Sequence, residues 1–116
     1  MHSVSLYPAE DKSLNINYII ELQKKFGKNN VGYSGHERTT LPSILAASLG
    51  AVAIERHITL DRTLWGTDQS ASLSKAGMLS LADSCAKVET IRGDGKKKYL
   101  KEENKKISTM TYWKNK

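Results

Sequence analysis

"AVAIERHITLD" (residues 51–61) and "VGYSGHER" (residues 31–38) are built alike. Each opens on apolar or small residues and ends in a histidine flanked by charge. The first ends in Glu55, Arg56 and His57, and the second carries Ser34, His36, Glu37 and Arg38. A near-continuous apolar run such as "AVAI" suits a strand covered on both faces, the condition of parallel strands between helices. Side chains alternate along a strand, so Glu55 and His57 share one face while Arg56 points to the other.

Outward from these segments, one pattern repeats three times. "HSVSLYP" (2–8) is a strand-like run stopped by Pro8, which cannot continue a central ladder. Ile16, Ile19, Ile20, Leu22 and Phe26, mostly three and four apart, predict an amphipathic helix closed by Gly27. "NVGYS" (30–34) is the second strand. "LPSILAASL" (41–49) is the second helix, with Pro42 in its first turn and Gly50 as its C-terminal cap. "AVAIERHITL" (51–60) is the third strand. Met78, Leu81, Ala82, Cys85, Val88 and Ile91 mark a third helix, opened near Ser72 or Ser74 and ended at Gly93. Alternating strands and helices with short links imply parallel strands and right-handed crossovers. The class is α/β, about three consecutive β/α units; periodicity alone leaves both an open sheet and a closed barrel.

Composition narrows the function classes. With 26% charged and 39% hydrophobic residues, the 116-residue chain reads as one soluble globular unit. No apolar run approaches the ~20 residues of a membrane span, and nothing resembles a secretory leader. The single cysteine, Cys85, excludes an internal disulfide, fits a reducing cytoplasm and is expected in the core. The net charge of +6 is not a basic face on the body. Residues 1–92 carry ten Lys/Arg against nine Asp/Glu, whereas residues 93–116 carry eight against three. The excess is a C-terminal tail of solvated lysines, so no nucleic-acid partner is expected. Tyr112 and Trp113 of that tail are expected to dock on the body as an apolar anchor.

In parallel α/β sheets, ligands bind beyond the carboxyl ends of the strands. His36 and His57 fall at that end of consecutive strands, which neighbour at about 4.8 Å. Ser5 and Tyr7 finish the first strand on the same side. Imidazoles at matching positions serve either as hydrogen-bonded structural groups or as ligands to one divalent ion such as zinc, iron or manganese. Their spacing matches no HExxH or cysteine-cluster signature, so water, substrate or a distant carboxylate would complete such a site. Glu55 orients a ligand or a sugar hydroxyl, or else pairs with Arg56 or Arg38. Those two arginines anchor a carboxylate or phosphate, or else form fixed salt bridges. "WGTDQSAS" (65–72) is a loop whose Asp68 binds hydroxyls or caps a turn. No phosphate-binding glycine loop or dinucleotide fingerprint is present.

"HSVSLYP", "VGYSGHE", "LAASLGAVAIERHITLDR" and "GTDQSASL", in this order and spacing, resemble the last portion of the sialic acid (N-acetylneuraminate) synthase family. The resemblance covers residues 2 to about 92 and implies a partial TIM-type (β/α)8 barrel, residues 1–92 being its C-terminal portion and residues 93–116 a basic tail. It implies condensation of phosphoenolpyruvate with N-acetylmannosamine or a similar N-acetylated amino sugar. His36 and His57 match the family's metal-binding histidines, the ion being Mn2+ or Mg2+, and with Glu55 they form the expected catalytic set. Ser34 and Ser5 match positions that contact phosphoenolpyruvate, while Tyr7, Glu55 and Asp68 match positions near the sugar. Where family members commonly read Ser-Asp-His, this chain has Ser34-Gly35-His36, a departure that leaves the sugar open between N-acetylmannosamine and another, such as the precursor of legionaminic or pseudaminic acid.

A barrel of this type takes ~250 residues, so the chain is expected to need a missing N-terminal half or another subunit to act; full members are expected as homodimers. Met1 at the start of a strand fits a piece separated from a longer synthase. A non-catalytic remnant or assembly subunit, and a metal-dependent sugar-phosphate binder, are the alternative readings.

Overall fold

Backbone hydrogen bonding sorts the chain into three parallel strands, each followed by a helix. The computed structural model describes residues 1–110. In it, β1 (His2–Ser3), β2 (Tyr33–Gly35) and β3 (Ile54–Arg56) form a sheet in the order β1-β2-β3. Both steps are parallel; His2 lies opposite Tyr33, Ser34 opposite Glu55 and Gly35 opposite Arg56. The helices α1 (Tyr18–Phe26), α2 (Leu41–Ser48) and α3 (Lys75–Arg92) follow the strands in turn, and α4 (Lys101–Thr109) comes after them. This is the α/β order the sequence pattern predicts.

The strands are shorter than their sequence runs, for two reasons. β1 ends at Ser3 because the Val4 carbonyl leaves the ladder to accept from the His36 ring. β3 ends at Arg56 because the chain then changes partner. Leu73 N–H donates to the His57 carbonyl at 2.8 Å and Thr59 N–H to the Leu73 carbonyl at 2.9 Å, so residues 57–59 pair with the approach to α3.

The core lies between the sheet and helices α1 and α2. Ile19, Val31, Tyr33 and Ala46 are buried together, with Ile16, Leu22, Leu49, Ala51 and Ile54 packed around them. Ile16 reaches this cluster from the turn before α1, so α1 begins at Tyr18 and not at Ile16. Tyr33 and Ile54 thus face the helices, and by alternation Ser34 and Glu55 project from the opposite face. That face is polar. Of "AVAI", Ala51 and Ile54 pack against the core, whereas Val52 is 57% exposed and Ala53 is exposed, so the run is not covered on both sides throughout.

Helix ends follow from local chemistry. Pro42 occupies the first turn of α2, and Gly50, at φ 89°, adopts the left-handed conformation that releases the chain towards β3. Of the two serines proposed to open α3, Ser74 caps it by accepting from Gly77 N–H at 3.1 Å. Ser72 instead donates to the Asp68 carbonyl.

Cys85 is half-buried and not a core residue. It lines a cleft of about 880 Å³ between α3 and the entry to β3, together with Ala53, Leu81 and Val88. Burial raises its thiol pKa above the ordinary value. Part of the expected tail is helical, as α4, and Tyr112 and Trp113 lie outside the described residues. Among the described residues, no helix is long and apolar enough to cross a membrane.

Candidate functional site

His36 stands one residue beyond β2 and His57 one residue beyond β3, so parallel pairing brings their rings to a common rim. The ring centroids are 5.4 Å apart with planes inclined at 44°. His36 is buried and His57 half-buried.

The segment after β1 wraps this pair. Val4 carbonyl oxygen accepts from His36 Nδ1 at 2.9 Å, and Ala9 N–H donates to the His36 carbonyl at 3.0 Å. The Tyr7 ring lies 4.3 Å from the His36 ring and 5.8 Å from that of His57, with its hydroxyl 3.1 Å from His36 Nε2. A backbone carbonyl can only accept, so Nδ1 carries a ring proton, and in the neutral ring Nε2 is then the acceptor. In that form Tyr7, which is 39% exposed, donates its hydroxyl to Nε2. A fixed Nδ1–H with an open Nε2 is the tautomer that metal-binding histidines use. Two imidazoles side by side are donors of the kind that borderline divalent cations take. Among the described residues, no group of three or more His, Cys, Asp or Glu gathers around one point.

Glu55 is exposed on the polar face and accepts from Ser34 Oγ at 2.9 Å. Its partner is thus Ser34 and neither Arg56 nor Arg38.

Arg56 points to the helix side, as alternation requires, and its role there is a fixed ion pair. Its Nη1 nitrogen lies 3.0 Å from Glu37 Oε1, with no exposed side-chain surface on either partner. The two N–H groups of Nη1 are shared among that carboxylate, the Thr39 carbonyl at 2.7 Å and Ser43 Oγ at 3.1 Å, and Nη2 donates to the carbonyls of Glu37 and Ala71. Desolvation lowers the Arg56 pKa from its ordinary value. Tyr33 donates to Glu37 Oε2 at 3.0 Å; its own burial, then the Glu37 charge, push the phenol well above the ordinary tyrosine range. Arg38, in contrast, is exposed.

Gly35 belongs to this arrangement. A Cβ there would stand 2.7 Å from Glu37 Oε1 and 2.9 Å from Arg56 Cδ. The missing side chain at position 35 therefore makes room for the ion pair on the helix side, away from Ser34 and Glu55.

Of the residues nominated from sequence, the structure brings Tyr7, His36 and His57 together and joins Ser34 to Glu55. Ser5 is exposed, two residues past β1. Asp68 is half-buried, its carboxylate accepting from Thr67 Oγ1 at 3.1 Å and its carbonyl from Ser72. Among the described residues, no hydrogen bond ties Ser5 or Asp68 to the histidines. Glu37 is not singled out by sequence reasoning. The signal for it is Arg56 itself, a cation turned towards the helices and in need of a buried counter-charge.

Comparison with known proteins completes the description. The family model described as NeuB family matches residues 1–97. The N-acetylneuraminate-9-phosphate synthase of Homo sapiens is 41% identical over 100 residues, covering 86% of this chain and 28% of that protein. The N,N'-diacetyllegionaminic acid synthase of Campylobacter jejuni is 37% identical over 110 residues, covering 95% of this chain and 33% of that protein. The crystal structure of N-acetylneuraminic acid (sialic acid) synthetase from Leptospira borgpetersenii, in complex with citrate, superposes with a TM-score of 0.75 at 31% identity. That alignment covers 98% of this chain and 40% of the other. The chain thus spans about a third of the length of the curated relatives it matches.

Proposed function

Because the chain belongs to the NeuB family, whose relatives compared above are sialic and legionaminic acid synthases, we propose that it forms part of a phosphoenolpyruvate-dependent synthase of a nonulosonic acid. The amino-sugar substrate is N-acetylmannosamine or a related N-acetylated sugar. The methylene carbon of phosphoenolpyruvate bonds to the sugar's aldehyde carbon, water adds at the pyruvyl carbon, and inorganic phosphate leaves. The observation that carries this reading is the pairing of His36 and His57, 5.4 Å apart, at the carboxyl ends of adjacent parallel strands.

In this reading His36 and His57 hold a divalent cation, Mn2+ or Mg2+. When bound, that ion supplies Lewis-acid polarisation of a carbonyl oxygen. Val4 holds the His36 ring in the tautomer that leaves Nε2 available. Glu55, oriented by Ser34, accepts from sugar hydroxyls, and Tyr7 walls the site beside both imidazoles. Ser34 and Ser5 line the phosphoenolpyruvate side and Asp68 the sugar side. The three β/α units described here are one portion of a (β/α)8 barrel, and turnover requires the remaining units as partner.

Two measurements test this. The purified chain is expected to release no phosphate from phosphoenolpyruvate and N-acetylmannosamine by itself, and turnover by it alone would overturn the requirement for further units. In a Mn2+ titration followed by electron paramagnetic resonance, His57→Ala is expected to weaken binding at least about tenfold. Equal binding by both proteins removes the metal assignment.

A further inference from the structure

We propose that Glu37 and Arg56 are positioning residues: their buried ion pair locks the two loops and the strand end that carry the site, and so sets the distance between the two imidazoles. The proposal rests on the functional reading above as far as it concerns a shared cation.

The placement carries the inference. Each partner is the chain neighbour of a histidine, Glu37 following His36 and Arg56 preceding His57. One guanidinium spans both sequence segments. It holds the Glu37 carboxylate and the carbonyls of Glu37 and Thr39 in the loop after β2, and the Ala71 carbonyl in the loop after β3. That second loop also carries Asp68. Tyr33 and Ser43 saturate the carboxylate from β2 and α2, at 3.0 Å and 3.3 Å. The pair is therefore hydrogen-bonded on every side except at Arg56 Nε, which lacks a partner among the described residues.

Energetics explain why such a pair would be kept at this place. Removing two charges from water is costly, and apolar residues of the same volume commonly stabilise a fold as well or better. An ion pair with no exposed side-chain surface is thus a poor device for stability alone. What it adds is direction: a planar fork with several fixed bonds tolerates one geometry, where an apolar contact tolerates many. Gly35, whose Cβ the pair excludes, shows that the backbone between Ser34 and His36 is fitted to it.

The test separates the brace from the cation. The nuclear Overhauser cross-peak between the ring protons of His36 and His57 is recorded without metal, for the wild type and Glu37→Gln, at a temperature where circular dichroism is native for both. The wild type is expected to show the cross-peak, and the folded variant to keep less than half of its intensity. An unchanged cross-peak in the folded variant overturns the proposal. Where Glu37→Gln does not fold, Arg56→Lys, which keeps the charge but not the fork, is read by the same criterion. Mn2+ binding is measured in parallel and is expected to weaken about tenfold in the folded variant. Wild-type binding in a variant whose cross-peak has vanished would also overturn the brace as a determinant of cation affinity. A wild type that binds no Mn2+, yet whose cross-peak vanishes on substitution, would sink only the cation reading, and the positioning role would stand.

Discussion

Ser34 and Glu55 face each other in register across the β2–β3 step, and the serine hydroxyl donates to the carboxylate at 2.9 Å. Neighbouring strands thereby contribute a hydroxyl and an acid to one polar patch, on the face opposite the core.

Removing that hydroxyl should be felt in stability. Ser34→Ala deletes one hydrogen bond to a charged acceptor, and Glu55 remains hydrated because it is exposed. The expected loss is about 1 kcal/mol, read as a lower urea midpoint with an unchanged m-value. A loss above about 3 kcal/mol would show that Ser34 has a larger structural role than this single bond.

Alkaline pH should act through Tyr33. Its phenol is pushed well above the ordinary tyrosine value by burial and by Glu37, so the folded state holds this proton more tightly than the unfolded chain does. The corresponding stability is fully present below pH ~10 and is lost as pH rises through and beyond that value. The difference in absorbance at 295 nm between wild type and Tyr33→Phe is expected to appear only together with loss of the circular-dichroism signal. A Tyr33 phenolate detected in fully folded protein would contradict the buried hydrogen bond to Glu37.

Cys85 should react slowly. Burial raises its thiol pKa and leaves less of the nucleophilic thiolate at neutral pH. Alkylation by iodoacetamide at pH 8 is expected to run several-fold slower in native protein than in urea. Equal rates would place the thiol in open solvent.

How much of this is legible in the sequence depends on which interactions are local. Helix stops at Gly27, Gly50 and Gly93 and the order of elements can be read, because the signals lie within a few residues of their effect. The common rim of His36 and His57 is legible too, since parallel pairing and period-two alternation determine it. Strand lengths are not. They depend on the Val4 carbonyl turning to His36 and on residues 57–59 pairing with Leu73, interactions made over long sequence distances. Glu37 is hidden for a related reason. A buried acid resembles a surface acid until its guanidinium partner is known. The packing role of Gly35 is hidden as well, because the space a Cβ would take there is filled by Glu37 and Arg56, which lie elsewhere in the sequence.

The alternation of faces along β3 has one more consequence. Sliding this strand by a single residue against β2 would rotate Arg56 out into the polar chamber and bury His57 under the helices. The ionic clamp and the imidazole couple would vanish in the same step. A misregistered form would thus carry an unneutralised Glu37 in its interior, and that penalty makes the chemistry of the rim a proofreader of strand alignment.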